Sequence, residues 1–154
     1  MKNNKGITLI ALVVTIIVLL ILAGVSIAML TGDNGILSRS QEASYQNDLG
    51  NAKEEVAMKI AEAITNWNAV KYANVTTVTG LSDDDKADID NYIYTQINNI
   101  KETVQNNYDV TIEPLTKPTA STDGTIVIKS NKEANKTFTT TWKDNGSFSA
   151  WKSN

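Results

Sequence analysis

Apolar and polar positions fall into three regimes along the chain. From Ile7 to Leu30 the sequence ITLIALVVTIIVLLILAGVSIAML runs for 24 residues without a charge. As a helix rising ~1.5 Å per residue it reaches ~36 Å, beyond the ~30 Å hydrocarbon core of a bilayer, so it can span one. Thr31-Gly32-Asp33-Asn34-Gly35 follows, and its two glycines and Asn-Gly pair disfavour a continuous helix there. From Ile36 a helical period takes over: Leu49, Ala52, Val56, Ile60, Ile64 and Trp67 lie three or four apart, with Glu54, Glu55, Lys59 and Glu62 largely off that stripe. This predicts an amphipathic helix to about residue 70. Ser82 and the acids after it predict a second helix start, and Ile89, Ile93, Ile97, Ile100 and Val104 mark its buried face to near Gln105. Beyond Asn106-Asn107 the pattern becomes that of strands: 110–113, 125–129, 137–143 and 147–151. Asp144-Asn145-Gly146 predicts a tight hairpin of type I′; a loop of Asn145-Gly146 puts Phe138, Trp142 and Trp151 on one face. The expected fold is α+β: a long N-terminal helix, half transmembrane and half amphipathic, packed on a small C-terminal antiparallel sheet, with an additional helix.

Charge orients this arrangement. Lys2 and Lys5 precede the apolar run and no acid does, which places the amino terminus in the cytoplasm and residues 31–154 outside the cell membrane. The exported part, about 120 residues, suits one domain. The chain contains neither Cys nor His, which removes thiolate chemistry, imidazole bases and the usual zinc ligands. No phosphate loop or activated nucleophile stands out, so no catalytic residue, metal site or cofactor is assigned and an enzyme is not expected. The net charge of −3, or −5 without Lys2 and Lys5, gives no reason to expect general nucleic-acid binding.

The order of residues at the start is more particular than its hydropathy. Lys5-Gly6-Ile7-Thr8-Leu9-Ile10 before an unbroken apolar helix resembles the leader of type IV prepilins and pseudopilins, in which a short basic segment ends in Gly. The resemblance covers about residues 1–35. It implies that a prepilin peptidase cuts between Gly6 and Ile7 and N-methylates Ile7. The chain would then divide into a leader (1–6), a transmembrane and filament-core helix (7–30), a flexible break hinged at Gly32 and Gly35 (31–35), and an extracellular pilin-like head (36–154). It also implies packing between subunits through Thr8, Leu9, Ile10, Ala11, Gly24 and Ala28. The implied partners are the peptidase, other pilin subunits, a membrane platform protein and an assembly ATPase, with membrane lipid before assembly. Filaments of this kind serve adhesion, motility, DNA uptake or secretion. One position departs from the family: its usual Glu at the fifth mature position is Ala11 here. A carboxylate at that depth is tolerable only when paired, so either this subunit sits where no pair is needed or its assembly rests on apolar packing.

Hydropathy alone leaves two plainer alternatives. Ser26 and Ala28 offer a small-residue pattern for ordinary signal-peptide removal, and an uncleaved anchor satisfies the same length and flanking charge. The latter would make the chain a single-pass membrane-anchored extracellular binding protein. Two further clusters invite a ligand. Lys129, Lys132, Lys136, Lys143 and Lys152 are interleaved with Trp142, Phe148 and Trp151, but strands ordinarily turn aromatics inward and lysines outward. The acids Asp83, Asp84, Asp85, Asp88 and Asp90 lack the glycine and terminal glutamate of an EF-hand in register, and read as helix-capping and solvated groups rather than a calcium site.

Overall fold

The computed structural model describes residues 5–32, 35–72 and 88–154. Helix α1 (Lys5–Thr31) is the apolar run and α2 (Ile36–Tyr72) the amphipathic one. Between them the helix is interrupted where the glycines predict it. The Gly32 N–H donates to Ala28 O at 3.0 Å and the Gly35 N–H to Gly32 O at 2.6 Å. A Cβ on Gly32 would stand 2.8 Å from Ala28 O, and one on Gly35 2.7 Å from Leu30 O, so close backbone approach requires both glycines. The expected helix start at Ser82-Asp83-Asp84-Asp85-Lys86 lies outside the described residues.

The chain divides into two compact units, residues 1–44 and 45–154. The second holds a single core. From α2 come Leu49, Ala52, Val56, Ile60, Ala63 and Trp67; the predicted Ile64 is only partly buried, and Ala63 lies deeper. Helix α3 (Ile89–Tyr108) adds Tyr92, Ile93, Ile97 and Val104. Asp88 caps it: one carboxylate oxygen accepts from the Asp90 N–H at 2.9 Å and the Asn91 N–H at 3.2 Å. The helix outruns the predicted end at Gln105 because its stop signal is Asp109. That residue adopts left-handed backbone (φ 48°), and its N–H returns to Gln105 O. Asn131 and Lys132 hydrogen-bond the Asp109 carboxylate, holding its pKa below the ordinary value and tying this end to the neighbouring sheet loop.

The sheet is antiparallel in the order β1 (Val110–Thr116), β2 (Gly124–Ser130), β3 (Thr137–Trp142), β4 (Lys152–Ser153). Alternation puts Val110, Ile112, Ile126, Ile128, Thr140 and Trp142 inward, each at most 2 % exposed. A fully buried Ile or Val contributes about 1.5–3 kcal/mol, so this inward face adds substantially to a core that the two helices complete. The β1–β2 register shifts between Ile112 and Leu115, across Pro114, a residue without an N–H that belongs on an edge strand.

Two strand expectations need correction. The hairpin loop is Asp144–Gly146, three residues long: Gly146 N–H donates to Lys143 O and Lys143 N–H to Ser147 O, both at 2.9 Å. Gly146 alone in the turn has positive φ (74°), which fits a type I turn closed by a glycine bulge and not type I′. Phe148 therefore lies opposite Trp142 and stacks on it at 5.3 Å and 13°. The strand predicted at 147–151 does not form. Over Ser149–Trp151 one backbone bond remains, Ser149 N–H to Thr141 O at 2.8 Å, and side chains supply the rest: the buried Thr140 Oγ1 donates to Ser149 O at 2.8 Å, and the Thr141 N–H donates to Ser149 Oγ at 3.0 Å. Regular pairing resumes at Lys152, and Trp151 packs only partly against the core.

Candidate functional site

Helix α1 has no polar face. Its sixteen large apolar residues from Leu9 to Leu30 are all 45–69 % exposed. Apolar surface on this scale exceeds what a water-soluble monomer displays, and it calls for lipid or other protein around it. From Leu9 onward its hydroxyls are already spent inside the helix. Thr15 Oγ1 donates to Leu12 O at 2.8 Å, Ser26 Oγ to Leu22 O at 2.7 Å and Thr31 Oγ1 to Ile27 O at 2.9 Å. Each side chain therefore enters an apolar medium without an unpaired donor. The helix is long and apolar enough to cross a membrane.

The sequence-predicted site residues all lie on this helix or at its end. Gly6, Ile7 and Thr8 fall in its first turn, where backbone N–H groups have no intrahelical acceptor. Leu9, Ile10 and Ala11 follow, all exposed. Gly24 and Ala28 are one turn apart on one side, both exposed, and a Cβ added at Gly24 would meet nothing within 4 Å. The glycine is thus not demanded by this chain's own packing, in contrast to Gly32 and Gly35.

The C-terminal aromatics do not form a stacking surface. Trp142 is fully buried, and its Nε1 donates to Thr116 O at 3.0 Å. Of the lysines, Lys132 pairs with Asp109 at 2.9 Å. Among the described residues no group of three or more acidic side chains is placed to hold a metal ion. A cavity of about 490 Å³ lies over the α3–β1 contact, lined by Tyr94, Asn98, Lys101, Glu113 and Pro114, with Lys101 and Glu113 paired at 3.1 Å.

Sequence reasoning missed a second cleft, about 390 Å³. The end of α2 forms one wall with Trp67, Asn68, Lys71 and Tyr72; Asp88, Ile89 and the Asp144–Gly146 turn form the other. The Lys71 ammonium sits 4.2 Å above the Trp67 ring. Next to it, Asp90 Oδ1 is buried without a hydrogen-bond partner. Burial first, then the charges of Asp88 and Asp144, push the Asp90 pKa up to about 6, while Lys117 opposes them. The cue available in sequence was the aspartate run, but nothing in it placed Asp144 opposite.

Searches of family models, curated proteins and solved structures return no match to this chain.

Proposed function

We propose that this protein is a type IV pilin-like subunit, processed after Gly6, N-methylated on Ile7 and assembled into a surface filament. One observation carries the reading: α1 is apolar on every side and exposed from Leu9 to Leu30, the hydroxyls of Thr15, Ser26 and Thr31 are bonded within it, and it begins with Lys5-Gly6-Ile7-Thr8-Leu9-Ile10. Such a rod is stable first in lipid, then among sister rods. Its amino terminus lies in the cytoplasm and the unit from Tyr45 to Asn154 outside, following the positions of Lys2 and Lys5. Gly24 and Ala28 offer the place where neighbouring helices approach, since nothing in the chain itself fills the space over Gly24. With Ala11 in place of an acid, assembly rests on apolar and small-residue contacts. The partners are a prepilin peptidase, a platform protein, an assembly ATPase and other pilin subunits.

The test is amino-terminal sequencing by mass spectrometry of the membrane fraction and of sheared surface filaments. Methylated Ile7 is expected at the terminus, and Gly6→Ala is expected to keep the leader and abolish filaments. An intact Met1 on a solitary membrane chain would instead assign a single-pass anchored extracellular binding protein. A terminus near Met29 would assign an ordinary secreted domain.

A further inference from the structure

The seam between the Asp144–Gly146 turn and the start of α3 brings together features that α+β packing does not require. Gly146, at φ 74°, lies so close to Ile89 that a Cβ there would stand 2.6 Å from Ile89 Cδ1, so the turn's backbone rests directly on the first residue of the helix. Asp88 has one carboxylate oxygen engaged by two backbone N–H groups. Asp90, in the first helical turn, has a buried Oδ1 that no donor satisfies. Asp144 comes in from the turn as a third carboxylate close enough to act on Asp90.

Among the described residues, the surrounding cations do not neutralise this group. Lys117, from the loop between β1 and β2, is engaged elsewhere: its Nζ donates to Asn91 Oδ1 at 2.7 Å and lies 5.2 Å from the Tyr94 ring centre. From α2, Lys71 sits over Trp67 on the far wall of the cleft. Among the described residues, the charged groups facing Asp90 are thus Asp88 before α3, Asp144 on the turn and Lys117 on the β1–β2 loop.

We infer that this seam is a proton-operated latch on the Trp67 cleft: a proton on the Asp90 carboxyl holds the hairpin turn against α3, and its loss loosens the wall formed by Asp88, Ile89 and the turn. The physical cause is that a neutral carboxyl is cheaper to bury beside two carboxylates than an ionised one. An acid in the first turn of a helix ordinarily gains from the helix dipole, which lowers its pKa. The raised value, about 6, means that burial and the two neighbouring acids outweigh Lys117. The sign follows directly. A carboxyl whose folded pKa lies above its ordinary 3.8 binds more protons folded than unfolded between the two values. The latch is therefore tightest below about pH 4 and progressively lost as pH rises through about 6.

The test uses the full-length chain in detergent micelles and three readouts. Carbon-13 NMR of the side-chain carboxyls follows Asp90 itself, amide exchange at Gly146 and Ser147, corrected for intrinsic rates, follows the seam, and the melting temperature follows the unit. The expected Asp90 midpoint lies near pH 6, and Gly146 protection is expected to be several-fold higher at pH 5 than at pH 7.5. Asp90→Asn, neutral at every pH, is expected to raise the melting temperature at pH 7.5 and to remove the pH dependence of Gly146 protection. Asp144→Asn is expected to shift the Asp90 midpoint down, whereas Asp123→Asn, exposed on another loop, leaves it unchanged. An Asp90 midpoint below about 4.5, a destabilised Asp90→Asn at pH 7.5, or pH-dependent Gly146 protection that survives in Asp90→Asn would each overturn the latch. These readouts do not involve filaments or leader removal, so they stand apart from the assembly reading.

Discussion

A single glycine decides how the largest fully buried side chain of the second unit is seated. Gly124 opens β2 opposite Trp142, and a Cβ at that position would collide with the indole Nε1, stand 2.6 Å from its Cδ1 and 2.7 Å from Thr116 O. The Trp142 Nε1–Thr116 O bond runs through this space. Gly124→Ala must therefore push out either the ring or the β1 carbonyl, leaving a buried donor or acceptor unpaired on top of the overpacking. Together these cost about 2–4 kcal/mol. The expected outcome is a melting temperature lower by roughly 10 °C, with near-ultraviolet circular dichroism reporting a displaced tryptophan. Ala at Gly50, whose Cβ would meet nothing within 4 Å, serves as the harmless comparison. Had Gly124 been kept for chain flexibility alone, the two variants would behave alike.

Elements show which physical signals a sequence carries. The α2 stripe, most of the α3 stripe and the extents of β1, β2 and β3 were largely legible because burial imposes a fixed period on apolar residues. On α2, Ile64 and Ala63 changed depth by one position; on α3, Ile89 and Ile100 are only partly buried while Tyr92, outside the predicted stripe, is in the core. The segment after the hairpin was not legible, since beyond one backbone bond its pairing is made by Thr140 and Ser149 side chains, and a hydroxyl in a strand pattern does not announce that it will replace a ladder bond. The turn type failed for a related reason: Asn-Gly is compatible both with two left-handed residues and with one that closes a longer loop. The apolar helix proposed as the functional element was plain from composition, while the Asp90 seam depends on a turn distant in sequence and has no local signature. The turn itself is testable. Gly146→Ala meets both a left-handed backbone and Ile89 Cδ1, and is expected to cost about 1–2 kcal/mol. Asn145→Ala loses only the hydrogen bonds its Oδ1 accepts from Ser147, 3.0 Å from N and 2.6 Å from Oγ, and is expected to cost about half as much. Urea denaturation of the two variants separates the cases, and equal losses would favour a turn with both residues left-handed.

At the scale of the whole molecule, anchoring and assembly make different demands on α1, and one substitution separates them. Lipid asks only for length and the absence of charge, which many sequences satisfy. Close packing with like helices asks in addition for small residues on one side. Gly24 is the position where the two demands diverge: replacing it with Leu adds apolar surface, improves helix propensity by up to about 1 kcal/mol and meets nothing within the chain. Gly24→Leu should therefore leave membrane content, leader removal and the melting temperature of the second unit unchanged. If sister helices approach at Gly24 and Ala28, the added side chain holds them apart, and the yield of sheared filaments should fall several-fold, with Ala28→Leu behaving the same way. Leu19→Lys tests the other demand. A cation near the centre of the span costs about 2.5–3.5 kcal/mol of insertion, so this variant should be depleted from the membrane itself. Filaments formed at full yield by Gly24→Leu would remove small-residue packing from the account of assembly while leaving the membrane role of α1 in place.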